Sequence, residues 1–193
     1  MMLRSFIAVE IPGDIQSALA RCVDPLQKSF PKPLIRWVAP QNVHLTLKFL
    51  GDVSPANLER LAEALKAEIL NHKTFTMEVS GIGAFPTTRR ARIIWIGLEA
   101  PPGLMMLLRG VEGVAAKQGY AQEDRTFSPH LTLGRVGQNV SGQDLQRIHT
   151  ALESTNVGNL GTVLVDSVHI FKSVLQPGGS VYSNLYTLPL KSG

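Results

Sequence analysis

The 193-residue sequence contains a single cysteine, Cys22. One thiol cannot close an intrachain disulfide or build a zinc site of several cysteines, so the sequence favours a reducing, cytoplasmic compartment. No stretch reaches the roughly 18 consecutive apolar residues of a membrane span. The N-terminal apolar run is broken by Glu10 and has no small-residue cleavage site. These absences predict a protein that is neither secreted nor embedded in a membrane.

Charged residues are also scarce, at 18% of the chain against 44% hydrophobic residues. This balance is typical of a folded protein with a buried core and excludes a largely disordered chain. Lysine and arginine number 19 against 15 aspartate and glutamate, which leaves a net charge of +4. The excess favours an anionic partner but does not identify one.

The spacing of apolar residues predicts the same order of elements in both halves of the chain. Strands are expected over residues 4–11, 43–50, 75–80, 92–98, 130–136, 162–172 and 181–190, and helices begin near residues 13, 54, 103 and 141. Pro25 should kink or end the first helix. The pattern predicts one bilobal α+β domain over 1–193. Its two pseudo-symmetric αβαββ lobes, about 1–100 and 101–193, would have antiparallel or mixed sheets that face a central groove. Strands of one half of the chain could also join the sheet of the other lobe.

One segment occurs twice, as HLTLKFLG (44–51) and HLTLGRVG (130–137). Successive side chains of a strand point to opposite faces, so the histidine and the threonine of each copy share one face while the leucines anchor the other. Two similar lobes facing each other would place the two copies opposite one another. We therefore expect His44, Thr46, His130 and Thr132 to line the space between the lobes.

Two imidazoles and two hydroxyls suit chemistry at a phosphorus centre. Imidazole has an unperturbed pKa of about 6.5, so near neutral pH one ring can act as a base and the other as an acid. Hydroxyl groups can donate hydrogen bonds to the non-bridging phosphate oxygens as negative charge develops. A single H-x-T tripeptide would most often be structural, but two copies at equivalent places indicate catalysis.

A metal site is the main competing interpretation, because histidine is a common zinc ligand. Neither copy has a second histidine, a cysteine or an acidic residue within its strand, and Asp52 lies beyond the glycine that ends the first copy. The sequence therefore predicts a site without metal or cofactor. His72, His149 and His169 are assigned no chemistry.

Several residues near the two copies are candidates for binding the substrate. Lys48 is expected to follow His44 and Thr46 on the same face of its strand, and Arg135 lies just beyond the second copy. Each would either face a phosphate or be solvated. Arg36 is a candidate for an anionic backbone contact, and the aromatic rings for stacking on a base or for packing in the core. The basic run TTRRAR (87–92) would either form a solvated turn or follow a nucleic-acid backbone. The candidates are Arg36, Trp37, Lys48, Phe127 and Arg135.

These segments resemble the 2H phosphoesterase superfamily, in particular its bacterial and archaeal RNA 2',3'-cyclic phosphodiesterases, formerly called 2'-5' RNA ligases. The resemblance covers nearly the whole chain. It is carried by RSFIAVEIP, RWVAPQNVHLTLKFLG, GIGAFPTTRRARIIWIGL, FSPHLTLGRV and SVLQPGGSVY. It implies a bilobal fold and metal-independent hydrolysis of a terminal RNA 2',3'-cyclic phosphate to a 2'-phosphomonoester.

The resemblance also implies the role of each repeated residue. His44 would protonate the leaving 3'-oxygen, His130 would activate water, and Thr46 and Thr132 would hold the phosphate oxygens and the water. The near-symmetric sequence itself cannot distinguish acid from base. We expect a monomer that acts on RNA ends without an obligate protein partner. Alternatives are 2'-5' RNA ligation, an RNA-end-binding module without turnover, and action on small cyclic nucleotides.

Overall fold

The computed structural model describes residues 1–176 and 179–192. Pro177 and Gly178, within the SVLQPGGSVY segment quoted above, lie outside the described residues. The strands are β1 (Leu3–Glu10), β2 (Ile35–Trp37), β3 (His44–Val53), β4 (Phe75–Phe85), β5 (Ile93–Leu98), β6 (His130–Val136), β7 (Asn159–Val165), β8 (Ser167–Gln176) and β9 (Gly179–Pro189). The α-helices are α1 (Gly13–Ser29), α2 (Pro55–Ile69), α3 (Pro102–Lys117) and α4 (Gly142–Ser154).

The strands form two sheets, and all pairs of named strands are antiparallel. Sheet A has the order β3-β1-β8-β9, and sheet B has the order β2-β6-β5-β4-β7. Each sheet takes strands from both halves of the chain. The pairing of β1 with β8, for example, joins Ser5 to Lys172. The expected α+β class with two facing sheets is confirmed.

The helices cover the sheets through their apolar faces. Helix α2 contacts α3 and β9, α3 contacts β3, and α1 contacts β7. Ser54 caps α2 by accepting a hydrogen bond from the Asn57 amide, as its position before Pro55 predicts. The residues predicted to form the apolar face of α2 are all buried: Leu58, Leu61, Ala62, Leu65 and Ile69. Burial of such a face supplies most of a helix's stability in a protein.

Two sequence-based boundaries are wrong. The segment 162–172 is not one strand, because β7 ends at Val165 and β8 begins at Ser167 in the other sheet. The chain crosses between sheets at Asp166, and the second half therefore has three strands after α4. Of the two alternatives for Pro25, an end of the helix is wrong, because α1 continues to Ser29. Proline at this position removes one backbone N–H donor from the helix. Burial of Val23 and Leu26 in the core stabilises the helix on both sides of it.

Candidate active site

The repeated H-x-T segments lie on two strands that contact each other across the sheets. Strand β3 is the edge of sheet A, β6 is the second strand of sheet B, and the two strands are in contact although no ladder joins them. His44 pairs with Glu10 of β1, and His130 pairs with Gly97 of β5. We call the face of each sheet that carries the histidine its motif face. The fold thus brings together two segments that are far apart in sequence.

Each of these strands contains one extra residue directly after its H-x-T segment. On β3, Thr46 pairs with Ala8 and Lys48 pairs with Ile7, so Leu47 has no partner. On β6 the register skips Leu133 in the same way. Such a bulge shifts the alternation of side chains by one residue. The next residue on the motif face therefore comes one position later than in a regular strand.

The bulge takes Lys48 off the motif face, so the expectation that it follows Thr46 there is wrong. Its side chain is buried, and its Nζ lies 2.7 Å from Oε2 of Glu112 on α3. The same ammonium donates to the Ala121 carbonyl at 2.8 Å. Lys48 therefore joins β3 to α3 beneath the sheet, where it cannot reach a phosphate beside His44.

The bulge brings Arg135 onto the motif face of sheet B. Arg135 pairs with Ile93 of β5, whose alternate neighbours Trp95 and Gly97 pair with Thr132 and His130. On its other side Arg135 pairs with Arg36 of β2. Both arginines are exposed. The structure therefore places two of the predicted basic residues side by side on the face that carries His130.

The two aromatic candidates from the sequence lie elsewhere. Trp37 alternates with Arg36 on β2 and so occupies the opposite face, where its Nε1 donates to the Phe30 carbonyl at 3.0 Å. Its ring lies so close to Gly134 that a Cβ there would be 3.0 Å from Cε3. Phe127 packs against the main hydrophobic core. Packing thus describes both residues, and Trp37 lies on the face opposite to His130.

Both histidines make the same backbone hydrogen bond. Nδ1 of His44 donates to the Asn42 carbonyl at 2.8 Å, and Nδ1 of His130 donates to the Ser128 carbonyl at 2.6 Å. A carbonyl accepts only, so each bond fixes the tautomer with hydrogen on Nδ1. In the neutral ring, Nε2 is then left with a lone pair. Each Nε2 can therefore accept a proton or, once protonated, donate one.

His44 lies within a group of aromatic rings. Its ring stacks on Phe6 with centroids 4.7 Å apart, lies edge-on to Tyr182 at 5.1 Å, and lies 6.4 Å from Phe171. Burial among these rings lowers the pKa of His44 below its ordinary value of 6.5, and the hydrogen bond to Asn42 acts in the opposite direction. The neutral ring is favoured in the free protein.

His130 has a different environment. Among the described residues, the aromatic ring beside it is Phe85 of β4, edge-on at 4.9 Å. Phe85 in turn lies 5.3 Å from Trp95. A Cβ on Gly83 would come within 2.5 Å of the Trp95 ring, so this glycine is needed for the indole to lie flat against β4. Thus one histidine has a basic, open neighbourhood and the other a dense aromatic one.

Asn42 is a residue of this site that the sequence did not indicate. Its carbonyl fixes the tautomer of His44, while its side-chain Nδ2 donates to the Ser180 carbonyl on β9 at 2.9 Å. Strand β9 also carries Tyr182, which contacts the His44 ring. Asn42 therefore links the His44 ring to the β8–β9 hairpin. Only the three-dimensional approach of β9 reveals this link.

His169 was assigned no chemistry from the sequence, and the structure places it on the motif face of sheet A. Asn184 Nδ2 donates to its Nδ1 at 3.0 Å, and its Nε2 donates to the Ser167 hydroxyl at 3.1 Å. That hydroxyl donates to Asp166 at 2.7 Å. Burial lowers the pKa of His169, and the charges of Glu10 and Asp166 act in the opposite direction. Both ring nitrogens of neutral His169 therefore have hydrogen-bond partners, which is consistent with a structural role.

The described residues contain neither a metal-binding cluster nor a helix that could cross a membrane. Among residues 1–176 and 179–192, no three histidine, cysteine, aspartate or glutamate side chains are close enough to one another to hold a metal ion. Within the same ranges, no helix has the length and apolar character needed to cross a membrane.

Comparison with known proteins identifies close similarity to one group. The sequence matches the LigT like phosphoesterase family twice, over residues 9–95 and over 96–182. It is 30% identical over 185 residues to the RNA 2',3'-cyclic phosphodiesterase of Methanothermobacter thermautotrophicus, covering 96% of this chain and 97% of that protein. The protein of the same name from Escherichia coli is 35% identical over 133 residues, or 68% of this chain and 71% of that one.

Solved structures agree with the sequence comparison. The fold is similar to Escherichia coli LigT complexed with 3'-AMP, with a TM-score of 0.77 and 27% identity over 98% of this chain and 99% of that one. It is also similar to the same protein complexed with phosphate, with a TM-score of 0.74 and 25% identity over 98% of both chains. The two matches along this chain meet between residues 95 and 96, and each contains one H-x-T segment.

Proposed function

Because this chain belongs to the LigT like phosphoesterase family, we propose that it is an RNA 2',3'-cyclic phosphodiesterase that opens the terminal cyclic phosphate to a 2'-phosphomonoester. The relative from Methanothermobacter thermautotrophicus carries this activity in its name and matches 96% of the chain. The E. coli LigT structure with 3'-AMP contains a nucleoside monophosphate, which is consistent with a nucleotide substrate.

One observation carries the proposal for this chain's own residues. His44 and His130 lie on contacting strands, and each donates from Nδ1 to the carbonyl two residues earlier. This shared geometry leaves both Nε2 atoms available for proton transfer. A displacement at phosphorus requires one group to take a proton from the nucleophile and another to give one to the leaving oxygen. Two such rings satisfy that requirement.

The reaction would proceed in one displacement. Nε2 of His130 takes a proton from water as the water oxygen attacks phosphorus in line with the bond to the 3'-oxygen. The bond from phosphorus to the 3'-oxygen breaks, and Nε2–H of protonated His44 gives its proton to that oxygen. The products are a 2'-phosphomonoester and a free 3'-hydroxyl, with His130 protonated and His44 neutral. Exchange with solvent restores the starting protonation states.

Four neighbouring side chains would stabilise the charge of the reacting phosphate. Thr46 and Thr132 follow the histidines on the motif faces and can donate hydrogen bonds to the non-bridging oxygens or the attacking water. Arg135 and Arg36 are exposed on the face that carries His130. Their positive charge would attract the cyclic phosphate and the phosphates of the preceding RNA backbone. Because the two histidines supply both proton transfers and these four side chains stabilise the charge, the proposed step uses no metal.

The burial of His44 supports its assignment as the acid. A lower pKa makes the protonated ring a stronger proton donor to the departing oxygen. The anionic cyclic phosphate places a negative charge beside the ring, which raises the pKa of His44 again on binding. His44 would therefore take up its proton together with the substrate.

The test is ³¹P NMR of an RNA oligonucleotide with a 2',3'-cyclic phosphate end, incubated with the protein in excess EDTA. We expect the cyclic signal to disappear and only a 2'-monoester to form. A 3'-monoester would contradict the assigned leaving group, and activity that returns only with added metal would contradict the two-histidine mechanism. Binding without turnover would favour an RNA-end-binding module. A 2'-5' linked product formed with an added 5'-hydroxyl RNA would favour ligation.

A further inference from the structure

The basic run TTRRAR, for which the sequence left two alternatives open, forms a loop between β4 and β5. We call residues 86–92 the arginine loop. Its middle is a single turn of 3₁₀ helix, Thr88–Arg90. At its base the Arg92 amide donates to the Phe85 carbonyl at 2.7 Å. The arginine loop is therefore closed on itself at the end of the β4–β5 hairpin.

Helix α4 anchors the arginine loop from one side. Thr88 Oγ1 donates to Glu153 Oε1 at 3.0 Å, and Nδ1 of His149 donates to the same hydroxyl at 3.0 Å. Ala91 is completely buried. The two residues between these anchor points, Arg89 and Arg90, are exposed. The loop therefore presents two guanidinium groups to solvent from a backbone that is held on both sides of them.

The arginine loop begins beside the candidate active site. Phe85, the residue directly before it, lies edge-on to the His130 ring at 4.9 Å. Ile93, the residue directly after it, pairs with Arg135, which in turn pairs with Arg36. The loop thus lies at the end of sheet B where β6 also ends. It extends the positive surface of these two arginines away from His130.

Strand β5 carries the opposite charge at its other end. Beyond Gly97, which pairs with His130, the strand leads to Glu99, and this residue is exposed. Neither Arg89 nor Arg90 forms a salt bridge within the part of the chain that the structure describes. A polyanion that extends from the histidines would therefore be attracted toward the arginine loop and repelled at the opposite end of the sheet.

An RNA substrate has such charge beyond its reacting end. When its cyclic phosphate lies between the histidines, an RNA continues in the 5' direction with one phosphate per nucleotide, whereas a single nucleoside 2',3'-cyclic phosphate ends there. We propose that Arg89 and Arg90 bind the phosphates of the nucleotides that precede the reacting end. Guanidinium groups suit this task because they stay charged and form paired hydrogen bonds to phosphate oxygens. This inference rests on the proposed function, and it predicts a preference for an RNA chain over a single nucleotide.

The experiment compares two proteins on substrates of increasing length. Wild type and Arg89→Gln/Arg90→Gln are assayed on cyclic-phosphate-ended RNAs of one to six nucleotides. We expect the KM of wild type to fall as the chain lengthens and to become constant once the RNA reaches the arginine loop. On the longest RNA, the KM of the double variant should be roughly 10-fold higher, because two phosphate contacts are lost. Its log KM should depend less steeply on log salt concentration, by about 1.4, since each contact to a single strand contributes about 0.7. On the single nucleotide the two proteins should have the same KM.

Arg21→Gln/Arg109→Gln is the matched control, because it removes the same charge from exposed positions of α1 and α3. It should keep the wild-type KM at every length. An equal rise of KM in this control would show that RNA responds to net charge alone, and the inference would be wrong. A wild-type KM that does not change with length would also overturn it, even though the enzyme is active.

If wild type hydrolyses none of these RNAs, the proposed function fails. Dissociation constants of the same RNAs, measured by fluorescence anisotropy, then test the arginine loop by themselves. The longest RNA should bind Arg89→Gln/Arg90→Gln roughly 10-fold more weakly than it binds wild type or the control. Equal affinity of all three proteins would refute the loop as a site for RNA phosphates.

Discussion

The two motif strands carry the same H-x-T-x sequence in two different environments. His44 is surrounded by Phe6, Phe171 and Tyr182 and is linked through Asn42 to the β8–β9 hairpin. His130 has Phe85 beside it and exposed arginines on the same face. The repeats therefore share their chemical groups and differ in the surroundings of each group. The predictions below test whether that difference in surroundings has the consequences we assign to it.

Removal of either imidazole should give the largest effect. His44→Ala and His130→Ala are each expected to lower kcat by about 10²- to 10⁴-fold, since each removes one proton transfer. The double variant should be no slower than the slower single variant, because the two rings act in one step. Single-turnover hydrolysis of a cyclic-phosphate-ended RNA measures all three. Thermal unfolding should show that each variant is folded, and a wild-type rate for His44→Ala would refute the mechanism.

The support beneath β3 should matter for stability rather than for activity. Glu112→Gln leaves the buried ammonium of Lys48 without its carboxylate, and we expect a loss of about 2–4 kcal/mol in the free energy of unfolding. The equivalent position on β6 is Gly134, so this ion pair has no counterpart in the second repeat. Urea unfolding gives the change, and the rate per folded molecule should stay the same.

The control for this prediction is Glu63→Gln, at an exposed position of α2, which should change stability by less than about 0.5 kcal/mol. Equal stability of Glu112→Gln and Glu63→Gln would show that the buried pair contributes little. A strong loss of activity in folded Glu112→Gln would return Lys48 to the list of substrate-binding residues.

The link through Asn42 should affect one histidine and not the other. Asn42→Ala keeps the carbonyl that holds His44 but removes the bond to Ser180, so the hairpin with Tyr182 is less firmly held. We expect kcat to fall about fivefold, because one hydrogen bond contributes about 1 kcal/mol and here helps to position the His44 ring. The pKa of His44 should rise toward 6.5 as water enters, which histidine NMR titration can measure.

Ser128→Ala is the matched variant in the second repeat, since its carbonyl holds His130 in the same way. Its rate and its histidine titration should resemble those of wild type. Equal changes of both histidine signals in Asn42→Ala would mean that the substitution loosens the whole site and that Asn42 has no selective role.

The smallest expected effect is a loss of stability on mild acidification. Burial lowers the pKa of His44 and of His169, so the unfolded chain binds protons at these sites more readily than the folded chain does. Stability from both groups is present above pH 6.5 and is lost as the pH falls from 6.5 through the folded-state values. Urea unfolding at pH 7.5 and pH 5.5 should show this decrease. The double variant His44→Gln/His169→Gln should lose less stability between these two pH values than wild type does. Met106→Ala, a substitution at an exposed position of α3, should lose as much as wild type.

Sequence alone predicted the parts of this protein that depend on local pattern. The period of Leu58, Leu61 and Leu65 fixed helix α2, and the repeated segment located both histidines. Prediction from sequence failed where the pairing of strands remote in sequence determines which face a side chain occupies. A bulge at Leu47 depends on the partner strand, so regular alternation placed Lys48 on the wrong face. The boundary between β7 and β8 was missed because both strands are apolar and only Asp166 separates them. What changes at Asp166 is the sheet to which the chain belongs, and that depends on non-local pairing.

The aromatic surroundings of His44 could not be predicted for the same reason. Phe6 lies on β1, which is remote in sequence from the β8–β9 hairpin that carries Phe171 and Tyr182, and the three rings meet only when sheet A assembles. Phe49 and Arg135 occupy the same position in the two repeated segments, five residues after the histidine. Only the bulges at Leu47 and Leu133 place both side chains on the motif faces, and the sequence does not show those bulges.

The pairing of β1 with β8 also has a consequence for the order of events on the ribosome. Ser5 emerges early, but its partner Lys172 is made only after most of the chain has been released. Sheet B can begin with the β4–β5 hairpin, whose strands are close in sequence. The edge of β1 that pairs with β3 can be covered early, but the edge that pairs with β8 stays open for the longest interval between paired strands of the described residues. Nascent chains stalled before residue 167 should therefore be the form most prone to aggregate and most dependent on chaperones.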